Sequence, residues 1–502
     1  MRKESIMCIK KTLLLLFAAL LISQSLAGCA AEPEETVPEE ETADAAAETL
    51  SPEDQKQAEK DAYFAALPAA IKNSGTDISI LTEVNDIFWE EEGLNGEKLN
   101  DAMYSRNVEV EERLGVNIVQ DLRAQDSGEV TATITQNVLA GTGTYALVNN
   151  FTREVASMFT SGVLGDMDTI PYLQKEEAWW NQSANRNLSY GGYQFCAISS
   201  LNRFASDLTT IMMFNKDMCI DYGIELPYNA VREGTWTYDL MFSMMDTLPL
   251  DSNGDGAMDE KDILGMVAQS SDIASAVAGC GVDFFAKDEN DIPQFILGKD
   301  ELNATKFETL FNVFSNRQRT VVVEYYGLEN VWGFWGEKFV SGEALFFPNF
   351  PCNLSAYTEI EDDYGILPMP KFDENQKNYR AMTSLYYTSC LALPKVVDAD
   401  PGDIGLTLDA LSYLSYADVD PEYVSAYLEN RYLRDEDSAE MMTIALHNTY
   451  FDPGFAMHYQ WGKPLELLSQ VVGSGENTFA STIASKAESI QNKVNATKDL
   501  IQ

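Results

Sequence analysis

Apolar residues recur along this chain in three rhythms. Leu13 to Ile22 form one unbroken apolar run. From about residue 77 onward, short aliphatic runs alternate with longer stretches of helical spacing. Ile78-Ser79-Ile80-Leu81 reads as a buried first strand, Glu97 to Leu114 as a helix and Val116 to Gln120 as the next strand. Val130 to Leu139 reads as a further helix, followed by a Gly141 to Gly143 break and the strand Tyr145-Ala146-Leu147-Val148. Strands alternating with helices predict an α/β fold built on parallel sheets. At the far end Phe479, Ile483, Ala487, Ile490 and Val494 fall three or four apart, on one face of a helix whose stripe is read as core packing.

The first apolar run is preceded by Arg2, Lys3, Lys10 and Lys11, the layout of a secretory signal. At about ten residues it is too short to span a hydrocarbon core, which takes ~20 as a helix. Leu26-Ala27-Gly28-Cys29 follows and resembles a bacterial lipobox, in which small residues fit the peptidase groove and the cysteine thiol is acylated. Residues 1–28 are therefore expected to be a lipoprotein signal, with Cys29 anchored at the extracellular face of the cytoplasmic membrane. Residues 29–60 are dominated by Glu, Ala and Pro, cannot bury enough apolar surface to offset their ordering entropy, and are expected to be a disordered acidic tether.

Composition narrows the remainder. The stretch after residue 60 is long and apolar enough for two domain-sized bodies. The chain carries 79 acidic against 34 basic residues, a formal charge of −45, and such a surface repels nucleic acid. Beyond Cys8 and Cys29, Cys196, Cys219, Cys280, Cys352 and Cys390 are odd in number and lack CxxC spacing, which predicts buried thiols rather than a disulfide framework or zinc site.

Several segments together resemble the family 1 extracellular solute-binding proteins. Met213-Phe214-Asn215-Lys216-Asp217, with Gly223, Pro227 and Thr235-Trp236, is similar to that family's strand, loop and capped helix, Thr235 serving as the cap and Asp239 facing the helix dipole. Phe339 to Phe347 reads as a helix end, turn and strand, and Tyr364-Gly365-Ile366-Leu367-Pro368-Met369-Pro370 follows at a family-like distance. The resemblance implies a two-lobed, periplasmic-binding-protein-like fold of type II. Lobe 1 would take 61–205 plus 388–450, and lobe 2 would take 206–387 plus 451–502. It further implies a monomer that captures a carbohydrate by lobe closure and delivers it to ABC permease subunits, and is not an enzyme. A secreted carbohydrate-active enzyme and a surface sensor or adhesion scaffold are the rival functions.

A sharper local motif runs from Asp251 to Asp262. Asp251, Asn253, Asp255, Asp259 and Asp262 stand at loop positions one, three, five, nine and twelve, glycine stands at six, and Ala257 would offer its carbonyl at seven. Calcium in a structural role is the expected cofactor. Asp262 departs from the usual Glu at position twelve, and Leu248-Pro249 argues against the incoming helix of a full EF-hand.

Sugar sites combine aromatic platforms with polar donors and acceptors. By motif position the candidates are Glu83 and Trp89 after the first strand, Asn149 and Asn150 after the Tyr145 strand, Phe350 after the Phe346 strand, and Trp461, the favoured contact. Trp332 and Trp335, which flank glycines, are further cleft candidates, whereas Trp179 and Trp180 are read as packing. No GxSxG, HExxH or GxxxxGK[ST] occurs, and His447 and His458 stand in no metal-ligand or nucleophile spacing. Hydrolysis of a glycoside needs only two carboxylates, so the non-enzymatic reading rests on the resemblance.

Overall fold

A computed structural model of the chain describes residues 51–68, 75–84, 93–257, 259–430 and 432–500. The expected signal, Cys29, most of the expected tether and Trp89 lie outside the described residues. The tether's last residues differ from expectation, because a helix runs from Pro52 to Ala66. Ser51 caps it: its Oγ accepts the Asp54 N–H at 3.1 Å and its carbonyl accepts the Gln55 N–H at 2.9 Å. Proline follows in the first turn with Glu53 and Asp54, where a missing N–H is harmless and negative charge is favoured.

The first sheet contains β1 (Asp77–Thr82), β2 (Asn117–Leu122), β3 (Leu147–Phe151), β4 (Leu164–Gly165) and β12 (Ser389–Pro394), in the order β2-β1-β3-β12-β4. β1 is parallel to β2 and β3, while β12 returns antiparallel to β3 and β4. Period-two alternation divides the strand residues between two cores. Ile78, Ile80, Leu147 and Leu391 enter one, and Leu81, Val148 and Cys390 the other. The helix between β1 and β2 spans Lys98–Leu114 and ends at Gly115, whose φ of 68° is the left-handed conformation that a C-cap glycine adopts without strain.

The second sheet contains β5 (Ile211–Asn215), β6 (Leu264–Ala268), β9 (Thr320–Val322), β10 (Ala344–Asn349) and β11 (Tyr364–Leu367), in the order β11-β5-β10-β6-β9. β6 is parallel to β9 and β10, and β5 is antiparallel to β10 and β11. A separate hairpin pairs β7 (Phe285–Lys287) with β8 (Pro293–Phe295). The helix after Trp236 begins at Tyr238, and Thr237 rather than Thr235 caps it, through an Oγ1 that accepts the Leu240 N–H at 3.3 Å.

The chain passes from the first sheet to the second between β4 and β5 and returns between β11 and β12, and the two linking segments lie side by side with Thr449 of a later segment beside them. Thr209 bridges to Thr383 and Ala381 to Thr449. The hydroxyls of Thr209 and Thr449 are 3.0 Å apart, and Thr210 Oγ1 donates to the Met382 carbonyl at 2.9 Å. Helices Pro401–Leu414 and Asp420–Glu429 pack beside Lys98–Leu114 of the first lobe. Helix Glu436–His447, which the expected division placed with that lobe, lies against β11 of the second sheet instead. Its Ser438 Oγ accepts the Ile366 N–H at 3.1 Å, which fixes the contact.

Candidate functional site

The ends of β6, β9 and β10 and the beginnings of β5 and β12 open on a cavity of about 480 Å³. Open α/β sheets bind ligands beyond the carboxyl ends of their parallel strands, because several chain segments with unlike side chains converge there. β10 delivers Phe350, whose N–H donates to Asn349 Oδ1 at 2.8 Å while Asn353 Nδ2 reaches the same oxygen at 2.8 Å. Helix Val331–Val340 places Trp332 at the rim, 61% exposed. Tyr386 and Tyr387 come from the crossing segment just before β12.

The polar floor belongs to the second sheet. Glu324, beyond β9, accepts the N–H and the hydroxyl of Ser270, each at 2.9 Å. Asp272 accepts the Gln269 N–H at 2.7 Å. Burial pushes the Asp272 carboxyl up to about 8, against the pull of that N–H and with help from the Glu324 charge. At neutral pH it is a protonated acid that can donate. Thr210 and Ser275 add hydroxyls 2.8 Å apart.

An adjoining cavity of about 420 Å³ shares Leu208, Cys352 and Tyr387 with the first and is lined by Gln125 and Asp126 from beyond β2. Arg153 ties this lip together. It donates to the Tyr386 carbonyl at 2.8 Å, pairs with Asp126 at 2.5 Å, and lies over the rings of Phe151 and Tyr387 at 4.9 and 5.5 Å. The recess thus takes walls from both sheets. Its aromatic faces, carboxyls, amides and hydroxyls suit a neutral polyhydroxylated molecule.

The sequence-predicted contacts divide. Phe350 and Trp332 line the cavity. Trp335 packs on Phe347, 4.7 Å between ring centroids, and does not line it. Glu83, Asn149 and Asn150 are buried, and their polar atoms are engaged by neighbouring groups of the same lobe. Glu83 Oε2 accepts from Asn150 Nδ2 at 2.8 Å and Oε1 from the Gly128 N–H at 3.2 Å. Asn149 Oδ1 accepts from Asn202 Nδ2 at 3.1 Å. The reason is register: β3 begins two residues later than expected and runs through both asparagines, which therefore belong to the sheet and not to the loop beyond it. Trp461 is 1% exposed, packed against Phe285 with ring centroids 5.2 Å apart, and so sits in core rather than at the cavity. Trp180 is likewise core, and with Trp179 donates to Asp409. Tyr386, Tyr387, Arg153, Asp272 and Glu324 were not foreseen. The one signal for the tyrosines is their place immediately before a buried strand.

Cys196, Cys219, Cys280 and Cys390 are buried free thiols, whereas Cys352 is exposed and lines both cavities, contrary to its expected burial. His458 is buried with Nε2 3.2 Å from Glu466, and neither it nor His447 borders the recess.

The loop from Asp251 to Asp262 leads into β6. Asp251 accepts the Gly256 N–H at 3.1 Å, Asn253 the Asp255 N–H at 2.9 Å, Asp255 the Ala257 N–H at 2.8 Å and Asp259 the Lys261 N–H at 3.0 Å. Gly256 supplies the sharp turn at φ 86°. The N–H groups of Asp259, Asn253 and Ser252 hold the Asp262 carboxylate below its usual range. Donor type and order fit calcium, and the turns leave acceptor capacity on Asp251, Asn253, Asp255 and Asp259, whereas Asp262 already accepts the N–H groups of Ser252, Asn253 and Asp259 and the Ser252 hydroxyl. Among the described residues no three His, Cys, Asp or Glu side chains converge as a preformed metal cluster.

No family model matches the chain. No curated protein matches it either. Solved structures do. A cyclic α-maltosyl-1,6-maltose binding protein from Arthrobacter globiformis aligns over 85% of this chain and 100% of its own, with 12% identity and a TM-score of 0.56. A cyclo/maltodextrin-binding protein complexed with maltotetraose covers 84% and 99%, at 14% identity and 0.53. The maltose-binding periplasmic protein of Listeria monocytogenes covers 84% and 98%, again at 14% and 0.53. The chain therefore has the two-lobed fold of the extracellular solute-binding proteins, mixed α/β with a helix-flanked sheet in each lobe. At this identity the likeness to family 1 is one of architecture. No helix among the described residues is long and apolar enough to cross a membrane.

Proposed function

We propose that the protein is a carbohydrate receptor of an ABC importer, held at the extracellular face of the membrane through acylated Cys29, and that it captures a mono- or oligosaccharide by closing its lobes as a monomer. The observation that carries this reading is the recess where the sheets meet. Aromatic side chains line it beside the Asp272 and Glu324 carboxyls, and its walls come from both sides of the segments that link the two sheets. A ligand touching both walls favours the closed arrangement by its differential contacts. The neighbours of the same fold that bind maltodextrin and maltose support a sugar as ligand. The Asp251–Asp262 loop, on this reading, takes a structural calcium.

Asp272 and Glu324 in one cavity are the feature that would serve a glycosidase instead. Incubation with a panel of mono- and oligosaccharides separates the two. Saturable binding by calorimetry with the sugar recovered intact supports the receptor, whereas released reducing ends, or no binding across the panel, overturn it.

A further inference from the structure

Tyr386 lines the recess from the segment that links β11 to β12, and it is held from both sides. Its carbonyl accepts from Arg153 of the first lobe at 2.8 Å, and its hydroxyl donates the other way, to Glu466 Oε1 at 3.2 Å. Glu466 closes the short turn Pro464–Glu466 and leads into helix Leu467–Ser474. That helix packs on helices Asp272–Gly279 and Glu301–Ser315, and the second of these packs on β9 of the second sheet. One aromatic wall of the recess is thus bonded to one lobe through its backbone and to the other through its ring hydroxyl.

Glu466 itself lies outside both cavities of the recess, and its surroundings fix it as an acceptor. His458 is buried, and its Nδ1 accepts the Leu465 N–H at 3.4 Å. The proton of the neutral imidazole therefore sits on Nε2, 3.2 Å from the same Glu466 Oε1. Burial holds the imidazole below its usual range, so it is neutral at pH 7. Lys463 Nζ stands 3.3 Å from each Glu466 oxygen. The bond from His458, with the Lys463 charge behind it, draws the Glu466 carboxyl down to about 2. Burial and the Glu466 charge push the Tyr386 hydroxyl up, so it keeps its proton and donates. Tyr459 packs edge-on against both the Tyr386 and the His458 rings, with centroids 6.0 and 5.2 Å apart. Lys463 holds φ at 61°, the left-handed conformation that a residue with a Cβ adopts at a cost. Such a conformation persists where its neighbours over-determine it, and here the side chain it serves is Glu466.

A binding group contributes most when its rotamer is fixed before the ligand arrives, because ordering it on binding costs affinity. We propose that Glu466, oriented by His458, is a positioning residue for sugar binding, fixing the Tyr386 ring as a preset wall of the recess. The role rests on the receptor reading above. It also gives His458 a function although that residue touches neither cavity: it turns a carboxylate oxygen toward the tyrosine and takes no part in contact with the ligand.

The test is calorimetry on the full chain with glucose, maltose, cellobiose and maltotetraose, following the tightest binder below the unfolding transition of every variant. Tyr386→Phe removes only the hydroxyl and keeps the ring, and it weakens binding about fivefold, the size of one hydrogen bond. Glu466→Ala weakens it by the same factor. The double variant binds no worse than either single one, because both changes break the same bond. Glu466→Gln keeps a carbonyl acceptor and stays within about twofold of the parent, a rescue that lost packing alone does not produce. Unchanged affinity in Tyr386→Phe, losses that multiply in the double variant, or a loss in Glu466→Gln as large as in Glu466→Ala overturns the role. Should Glu466→Ala fail to fold, Tyr386→Phe and Glu466→Gln decide by the same criteria. A parent that binds no sugar of the panel overturns the receptor reading and this role with it, whereas sugar binding that ignores Tyr386→Phe overturns this role alone.

Discussion

The indole N–H of Trp461 donates to Thr497 Oγ1 at 3.0 Å, across from the C-terminal helix Phe479–Leu500. Phe285 and Tyr190 flank the same ring, so its polar edge and its faces are both satisfied inside the protein. Truncation leaves a large void, while the Thr497 hydroxyl keeps its bond to the Lys493 carbonyl at 3.2 Å. Trp461→Ala should therefore cost ~3–5 kcal/mol, read as a lowered denaturant midpoint at unchanged m-value. Sugar affinity, measured below the lowered transition, should stay as in the parent. A large loss of affinity in a fully folded variant would return Trp461 to the ligand site.

Asp272 supplies a pH dependence of definite sign. Its carboxyl is near 8 in the folded protein against an ordinary 3.8. Between those values the folded state holds a proton that the unfolded chain has lost. Stability from this group therefore falls as pH rises, by about 1.4 kcal/mol per unit, and levels off above 8 where both states are ionised. Asparagine copies the protonated acid and has no proton to lose. Asp272→Asn should raise the melting temperature more at pH 8 than at pH 5. An equal shift at both values would contradict the buried, protonated assignment.

Calcium should act through the Asp251–Asp262 loop. Bringing its carboxylates together without a cation is opposed by their repulsion, so binding to the folded state should raise Tm and a chelator should reverse the rise. Asp255→Asn keeps an acceptor for the Ala257 N–H but removes a charge. It should preserve the calcium-free Tm and lose most of the calcium-dependent gain. A calcium response that survives the substitution would place the ion elsewhere.

What could be read before the fold was known follows from how local each signal is. Ile78, Ile80 and Leu81 announce a strand because alternation is a property of neighbours, and Gly115 ends its helix for reasons within one turn. Phe350 was legible because it directly follows a strand that the motif had located. Trp461 was not, since an aromatic residue serves a core and a ligand equally well and only Thr497, 36 residues away, decides between them. Asn149 and Asn150 turned on a two-residue difference in where β3 begins. Tyr386, Tyr387 and Arg153 meet through the crossing segments, a tertiary event with no periodic trace. Ser51 is the opposite case: Ser-Pro-Glu-Asp is a local helix start, obscured by the acidic composition around it.

The recess itself is best tested at Trp332. The ring is 61% exposed at the rim, so its removal should cost little stability, unlike a core aromatic. If it serves as a platform for a sugar face, Trp332→Ala should weaken saccharide binding about tenfold, ~1.4 kcal/mol, in the range of an aromatic contact. Cys352 offers an independent reporter, being the exposed thiol among the described cysteines and lining both parts of the recess. A fluorophore attached there, in protein lacking residues 1–29, should change emission as sugar is added. In Trp332→Ala the same curve should move to about tenfold higher concentration and keep its amplitude, because the walls that close are unaltered. A curve that does not move would remove Trp332 from the contact. A label that never responds while calorimetry records binding would place the sugar outside the recess.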